Sequence, residues 1–354
     1  MYSKSDCIEF YAEPQHSQIC REKWKDNTIS FQSMKLMPKW LFYGGKMALR
    51  DALSCLYVIQ AFFFSQKSDI LVFSLAYPFA QNLIFLLSKL LNRKNIFVCL
   101  HGEMEVIIDE RLFKSKKYQN LTKKVLRSKS DIRYIVLGES IFNNMKHSFI
   151  QPEKVIVIEH PYEFNNEQTS TIETFKPLLI GQIGLGELSK GTEHLFELAE
   201  LLKPEIETGK LKIQLVGKLN AQLQQFDNGL VEYETNFLSP DIFDQKIRSL
   251  HFTLQLVSLT KRKVTASGSF FDSLKHKKPY LSLDNDYIRY FHNLEPDSGR
   301  MFSDLTGMAE HIRTILNTEN SQLHEHYDKS VQGILRLQQR LSLSNIAETF
   351  KRQI

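Results

Sequence analysis

The chain has 354 residues, 42% of them hydrophobic and 24% charged, with a formal net charge of +5. This is the composition of a soluble globular protein, and the length predicts two domains of ordinary size rather than one core. The four cysteines (Cys7, Cys20, Cys55, Cys99) form no CxxC pair and no His/Cys cluster, which speaks against a zinc site or a disulfide framework.

The longest apolar run, Leu53 to Phe64, is broken by Ser54 and Gln60 and is too short to span a bilayer. No apolar segment follows Met1-Tyr2-Ser3-Lys4-Ser5-Asp6, so a cytoplasmic protein is expected. Charge is unevenly spread. Residues 1–162 hold 23 Lys/Arg against 15 Asp/Glu, the remainder 22 against 25. Arg111 to Lys129 alone contains eight basic residues and no acid. That run lacks a recognisable base-reading motif, so no nucleic-acid partner is expected.

In chain order, Cys7–Ala12 and Thr28–Phe31 read as strands flanking a polar helix. Residues 34–46 (MKLMPKWLFYGGK) interleave lysines with aromatics and Met, which suits either a lipid headgroup boundary or a loop whose aromatics fold inward. Residues 46–64 have helical, mostly apolar spacing and predict a buried crossover helix. A strand over 69–75, a helix over 78–92 and a strand over 95–100 follow. Then come a basic helix, a strand over 132–137, a helix from Ser140 and a strand over 155–158. Unbroken apolar strands alternating with helices imply a parallel sheet covered on both faces. Residues 163–174 are polar and aperiodic, as a linker would be.

The βα rhythm then restarts with a strand over 178–183, a helix over 191–202, a strand over 211–216 and a weaker one over 231–234. A helix over 241–250 and a strand over 252–257 complete it. Residues 342–354 read as an amphipathic helix after a long helical segment from about Asp328.

Ser267-Gly268-Ser269-Phe270-Phe271-Asp272, followed by Ser273-Leu274-Lys275-His276-Lys277-Lys278-Pro279 and an apolar Tyr280-Leu281-Ser282-Leu283, reads as a loop, a short helix with a basic end, a proline stop and a buried strand. Free N–H groups at such a helix start attract anions, and Gly268 lets the main chain approach a phosphate. Asp272, about one turn further on, is placed to accept hydrogen bonds from two ribose hydroxyls. An ordinary N-capped helix of an α/β protein has the same look. Asp284-Asn285-Asp286 reads as a loop turn rather than a metal site.

Gly184-Leu185-Gly186-Glu187-Leu188-Ser189-Lys190-Gly191 resembles the G-R-L-x-x-x-K-G motif of the GT-B glycosyltransferases of family 4, the "group 1" glycosyl transferases. In that family the arginine and lysine grip the donor diphosphate. Here Lys190 matches the lysine and Leu185 stands in the arginine's place. The stretch ending at Pro279 is similar to the family's E-x-F-G-x-x-x-x-E-A-x-x-x-G-x-P, which puts Asp272 at the second, ribose-holding acid and Val264 at the first. Lys261, Arg262, Lys263 and Thr265 crowd that gap, where cationic or hydroxyl contacts to sugar or phosphate would replace the acid. Leu100-His101-Gly102-Glu103 is similar to the family's histidine-glycine sequence, whose histidine lies beside the transferred sugar; Glu103 is a weaker candidate for an acceptor contact or base. Val136–Ser140 resembles the V-x-S-E turn, and Ile158–Tyr162 stands at the domain junction. The resemblance covers residues 69–354.

It implies a GT-B α/β fold of two Rossmann-like domains facing across a cleft: an acceptor domain over 1–162, a linker over 163–176, and a nucleotide-sugar domain over 177–341. A C-terminal helix over 342–354 would cross back toward the first domain. The implied activity is transfer of a sugar from a nucleotide-diphosphate donor to a saccharide or lipid-linked saccharide, with retention and without cofactor or metal, in surface polysaccharide or lipopolysaccharide assembly. His101 and Glu103 are the catalytic candidates; Gly184, Lys190, Lys263, Ser267, Gly268, Ser269 and Asp272 are the donor-binding ones. The basic first half suggests docking on an anionic membrane surface. Two other readings fit a similar architecture: a sugar-nucleotide 2-epimerase, for which matching acids are short, and a partner that binds sugar nucleotide without turnover.

Overall fold

The computed structural model describes residues 8–12, 14–24, 28–33, 47–105, 116–145, 150–164, 174–258 and 261–354. The lysine-aromatic segment 34–46, residues 165–173 of the expected linker and the side chain of Glu103 lie outside the described residues. The chain divides into two compact units, one of residues 1–99, 113–134 and 354, the other of residues 100–112 and 135–353.

In the first unit, β1 (Ile8–Ala12) and β2 (Ile29–Ser33) pair in parallel around α1 (Pro14–Lys23). Phe10 meets Trp24 and Phe31 edge-on at 5.8 and 5.6 Å between ring centroids. Next come α2 (Met47–Phe64), β3 (Leu71–Phe73), α3 (Pro78–Leu90), β4 (Ile96–Leu100) and α4 (Lys116–Arg127), with Leu71 to Phe73 paired in parallel with Ile96 to Val98. The buried carboxylate of Asp51 accepts from the N–H groups of Phe79 (2.7 Å) and Ala80 (2.9 Å), fastening α2 to the positive end of α3.

Two expectations change here. β3 is shorter than the strand expected over 69–75, because it is an edge strand with Val72 facing outward. The α2 helix buries Val58 and Phe62, one turn apart, but leaves Phe63 and Phe64 73% and 77% exposed, so it is amphipathic rather than wholly buried.

The second unit takes in the second half of β5 (Ile132–Leu137), then α5 (Glu139–Met145) and β6 (Val155–Ile158). Its six-stranded sheet has the order β12-β11-β10-β7-β8-β9, with every neighbouring pair parallel. The strands are β7 (Leu178–Ile183), β8 (Leu211–Lys218), β9 (Val231–Glu234), β10 (Phe252–Gln255), β11 (Tyr280–Leu283) and β12 (Gly299–Phe302). The helices are α6 (Glu193–Leu201), α7 (Lys203–Glu207), α8 (Pro240–Ser249), α9 (Gly268–Lys275), α10 (Asp286–Leu294), α11 (Leu305–Asn317), α12 (Asn320–Arg340) and α13 (Leu343–Gln353).

One sheet face is covered by a core that includes Leu195, Phe196, Ile312 and Tyr327, the other by a cluster of Ile183, Val216, Ile247 and Leu250. The chain runs outward from β7 through β8 and β9, then returns to the other side of β7 as β10. Strand order therefore reverses between β7 and β10, and the loops leaving their carboxyl ends part to leave a crevice.

Helix α6 begins at Glu193 rather than Gly191, because Gly191 has the left-handed φ of 67°. The final long helix starts at Asn320, earlier than the helical segment expected from about Asp328, while β12, α10 and α11 had no marked sequence signal. Asn285 caps α10 by accepting from the Ile288 N–H, and Arg289 pairs with both Asp284 (2.9 Å) and Asp286 (2.8 Å), which gives that acidic turn a structural occupation. At the other end, Gln353 of α13 brackets the Val157 backbone, accepting from its N–H (2.9 Å) and donating to its carbonyl (2.7 Å).

His251, at the mouth of β10, accepts from the Leu179 N–H (2.8 Å) and lies 3.0 Å from the Thr174 carbonyl. Burial first, then the nearby Lys278 charge, pushes its pKa down to about 4. The unfolded chain therefore binds a proton at this site that the folded one does not, and the contribution present above pH 6.5 is lost as pH falls toward 4. Urea denaturation across this window should give His251→Gln a shallower loss of stability than the native chain, by up to about 1.4 kcal/mol per pH unit. Parallel curves would remove His251 from the acid response.

Candidate active site

The turn leaving β7 is built on glycines that no other residue can replace without movement. A Cβ on Gly191 would stand 2.1 Å from the Leu256 carbonyl oxygen, and one on Gly217, at the end of β8, 2.3 Å from the Gly184 carbonyl. Gly184 itself has φ 95°, and its missing side chain leaves room for the Lys190 ammonium 3.0 Å from where a Cβ would be. Gln182 donates to the Lys190 carbonyl (2.9 Å) and Thr192 Oγ1 accepts from the Glu187 N–H (3.0 Å), so the turn is held at both ends. Lys190 ends a short 3-10 turn just before α6, rather than lying in the helix.

The loop leaving β10 faces this turn across a pocket of about 270 Å³. Six of the expected donor-site residues line it together: Gly184, Lys190, Ser267, Gly268, Ser269 and Asp272. Ser267 caps α9 by accepting from the Phe270 N–H, and the space over Gly268 is open. The N-terminal amides of α9 thus border the pocket with no side chain over Gly268. The buried side-chain oxygen of Gln182, a residue of the same lining, has no hydrogen-bond partner among the described residues.

Asp272 is not open on both sides. Its Oδ1 accepts from the Tyr162 hydroxyl at 2.6 Å, and Tyr162 stacks on Phe271 at 5.4 Å. Burial raises the carboxyl's pKa, with the Tyr162 bond acting against that shift. The aspartate is therefore pre-aligned, with one oxygen committed to protein.

Lys190 has its pKa lowered by burial, then by the neighbouring Arg262 charge. Arg262 lines the same pocket, and its own pKa is lowered by burial. Lys263, the cation singled out by sequence, is exposed and outside the lining; its carbonyl accepts from Asn144 Nδ2 at 2.8 Å. Val264, at the place of the family's first acid, is 1% exposed and turned into the core.

A carboxylate arrives there from elsewhere: Glu105 Oε1 accepts from the Val264 N–H (2.7 Å) and from the Thr265 hydroxyl (2.9 Å). His101 lies at the end of β4 in extended conformation and outside the pocket lining. The next residue, Gly102, abuts Thr265, whose Oγ1 would be 3.1 Å from an added Cβ. Sequence reasoning met Tyr162 only as the end of the junction segment Ile158–Tyr162, with no link to Asp272, and did not find Glu105; their contacts span 110 and 159 positions.

Among the described residues no helix is long and apolar enough to cross a membrane, and no cluster of three or more His, Cys, Asp or Glu could hold a metal ion.

The α/β fold with parallel sheets is that of the GT-B glycosyltransferases. The structure of HepE from Anabaena in complex with UDP and glucose matches with a TM-score of 0.67 at 14% identity, covering 98% of each chain. WaaG, a glycosyltransferase involved in lipopolysaccharide biosynthesis, matches with a TM-score of 0.60 at 10% identity, over 98% of this chain and 97% of that one. TarM matches with 0.63 at 16% identity, over 86% of this chain; the match spans 58% of TarM's length. No protein-family model matches the sequence, and no curated protein does.

Gly191→Ala should cost about 2 kcal/mol or more in chemical denaturation, since both the left-handed φ and the Leu256 carbonyl oppose a methyl group. A neutral substitution would mean that the β7 turn is not fixed at this point.

Proposed function

We propose that the chain is a glycosyltransferase of the group 1, family 4 type, moving a sugar from a nucleoside diphosphate to a saccharide or lipid-linked saccharide acceptor with retention of anomeric configuration. The observation that carries this reading is the meeting of the Lys190 ammonium, the α9 amides at Gly268 and Ser269, and the Asp272 carboxylate on one pocket at the β7/β10 reversal. Diphosphate oxygens fit between the ammonium and the amides, and a ribose hydroxyl fits the Asp272 oxygen that Tyr162 leaves free.

In the transfer, the bond between the anomeric carbon and the diphosphate oxygen breaks, the acceptor hydroxyl oxygen bonds to that carbon, and its proton passes to the departing diphosphate. Charge growing on the leaving group is met by Lys190 and by the α9 dipole, both in place beforehand. His101, next to the Gly102 that abuts Thr265, is assigned to orienting the donor sugar. The reading requires no bound metal or cofactor.

The acceptor is proposed to sit at an anionic membrane surface, in surface polysaccharide or lipopolysaccharide assembly on the cytoplasmic side. Support comes from the basic first half of the sequence and from exposed apolar residues of the first unit, including Phe63, Phe64 and Leu90.

Lys190→Ala should lower turnover at least about tenfold, on the scale of one lost charge-assisted contact; unchanged kinetics would exclude Lys190 from the reaction. A thermal-shift series with UDP, GDP, ADP and CMP derivatives should raise the melting temperature with one nucleoside diphosphate family, and no response to any would sink the donor assignment. Co-sedimentation with phosphatidylglycerol vesicles but not with phosphatidylcholine vesicles is expected, and equal partition would refute the membrane assignment.

A further inference from the structure

Lys190 and Arg262 place two cations on one pocket wall, and among the described residues neither has a carboxylate within 4 Å or a hydrogen-bond acceptor. Charges left in that state repel one another and have given up hydration, at a cost a ligand with two adjacent anionic groups would relieve. Ordinary surface arginines do not accept these conditions. Arg262 is further held at φ 51°, a left-handed backbone that a side-chain-bearing residue seldom adopts.

The loop is pinned on both sides of it. Lys261 Nζ donates to the Leu188 carbonyl (2.9 Å) and to Glu193 Oε1 (2.6 Å), tying the loop to the very turn that carries Lys190. On the other side the single Glu105 oxygen takes both the Val264 N–H and the Thr265 hydroxyl. A residue in a disfavoured conformation, bracketed by two anchors and lining a pocket, is one whose direction the fold specifies.

We infer that Arg262 is the second cation of the donor site, gripping the diphosphate together with Lys190, and that Glu105 is a positioning residue that holds the Arg262 loop in place. This rests on the reading of the pocket as a nucleoside diphosphate site. Lys190, reached from the β7 turn, and Arg262, reached from the β10 loop, approach the two phosphoryl groups from different loops, and a monophosphate satisfies only one of them. Burial lowers the pKa of both groups, and the charges of Glu187 near both, Asp272 near Lys190 and Glu105 near Arg262 offset it only in part.

Isothermal titration of the full chain with UDP, GDP and ADP, and with the matching monophosphates, tests this. For whichever base binds, Arg262→Ala should weaken the diphosphate at least tenfold while changing the monophosphate less than threefold, and should flatten the dependence of affinity on salt. Arg262→Lys should recover part of the loss. Glu105→Ala should weaken the diphosphate in the native background but add nothing in the Arg262→Ala background, and Glu105→Gln, whose amide oxygen still accepts both bonds, should stay near native.

If the native chain discriminates diphosphate from monophosphate and Lys190→Ala abolishes that preference while Arg262→Ala does not, Arg262 is overturned and the donor site stands. Additive losses from Glu105→Ala and Arg262→Ala would overturn the positioning role of Glu105. If the native chain binds no nucleoside diphosphate, the donor reading itself fails, and Arg262 with it. Should Arg262→Ala not fold, Arg262→Gln carries the same comparison.

Discussion

The close passage of three backbone segments at the carboxyl ends of β7, β8 and β10 fixes everything around the pocket. Gly217 runs under the Gly184 carbonyl, Gly191 under the Leu256 carbonyl, and at neither position is there room for even a methyl group. Main chain packed against main chain cannot be re-aimed by a rotamer change. The β7 turn therefore has one path, and that path ends with the Lys190 ammonium above Gly184. The reversal of strand order at the same point keeps helices from filling the crevice, so the topology makes the space and the glycines set what projects into it.

A pocket with fixed walls behaves differently toward charge than a mobile surface does. On a surface, two neighbouring cations separate and stay hydrated, and their mutual repulsion is about 1 kcal/mol or less. Here Lys190 cannot retreat, because its turn is anchored by Gln182 and Thr192, and Arg262 cannot, because Lys261 and Glu105 hold its loop. Preorganised donors of this kind cost no reorientation at the moment charge develops on a leaving group.

The second half was legible in the sequence because its strands are short, mostly apolar and set off by glycine, proline or polar residues. Strands over 178–183, 231–234 and 280–283 match β7, β9 and β11 residue for residue, and the α9 stretch has the loop, cap, helix and proline stop that its composition implies. Six of the residues expected at a donor site came from motif spacing and share a pocket. What spacing does not carry is direction. Arg262 and Lys263 are adjacent cations that look alike on paper, and in the fold Arg262, at a left-handed φ, lines the pocket while Lys263 does not. Nor does spacing carry contacts over more than a hundred positions, so Tyr162 on Asp272 and Glu105 on Val264 emerge only in three dimensions. Lys278 illustrates a further limit: grouped with a basic helix end, it is instead 2% exposed, with its amine donating to the Arg248 carbonyl at 2.7 Å and its pKa pushed down by burial to about 8.

Val264 shows how a loop with an apolar side chain turned inward can still have a carboxylate beside it. A glutamate there would have to leave a core position that is 1% exposed, and its backbone N–H would still need an acceptor. The valine fills the core, and Glu105 supplies the acceptor from the turn after β4, on the same carboxylate oxygen that holds Thr265. The carboxylate near the loop belongs to a residue that braces it, and its charge lies near Arg262, where it offsets part of that guanidinium's loss of water. A glutamate that contacts ligand and one that holds the ligand's contact differ in what their removal does: the first takes an interaction away, while the second lets an intact arginine wander. The short bonds to Glu105, made to backbone and hydroxyl rather than to the open pocket, place it in the second class.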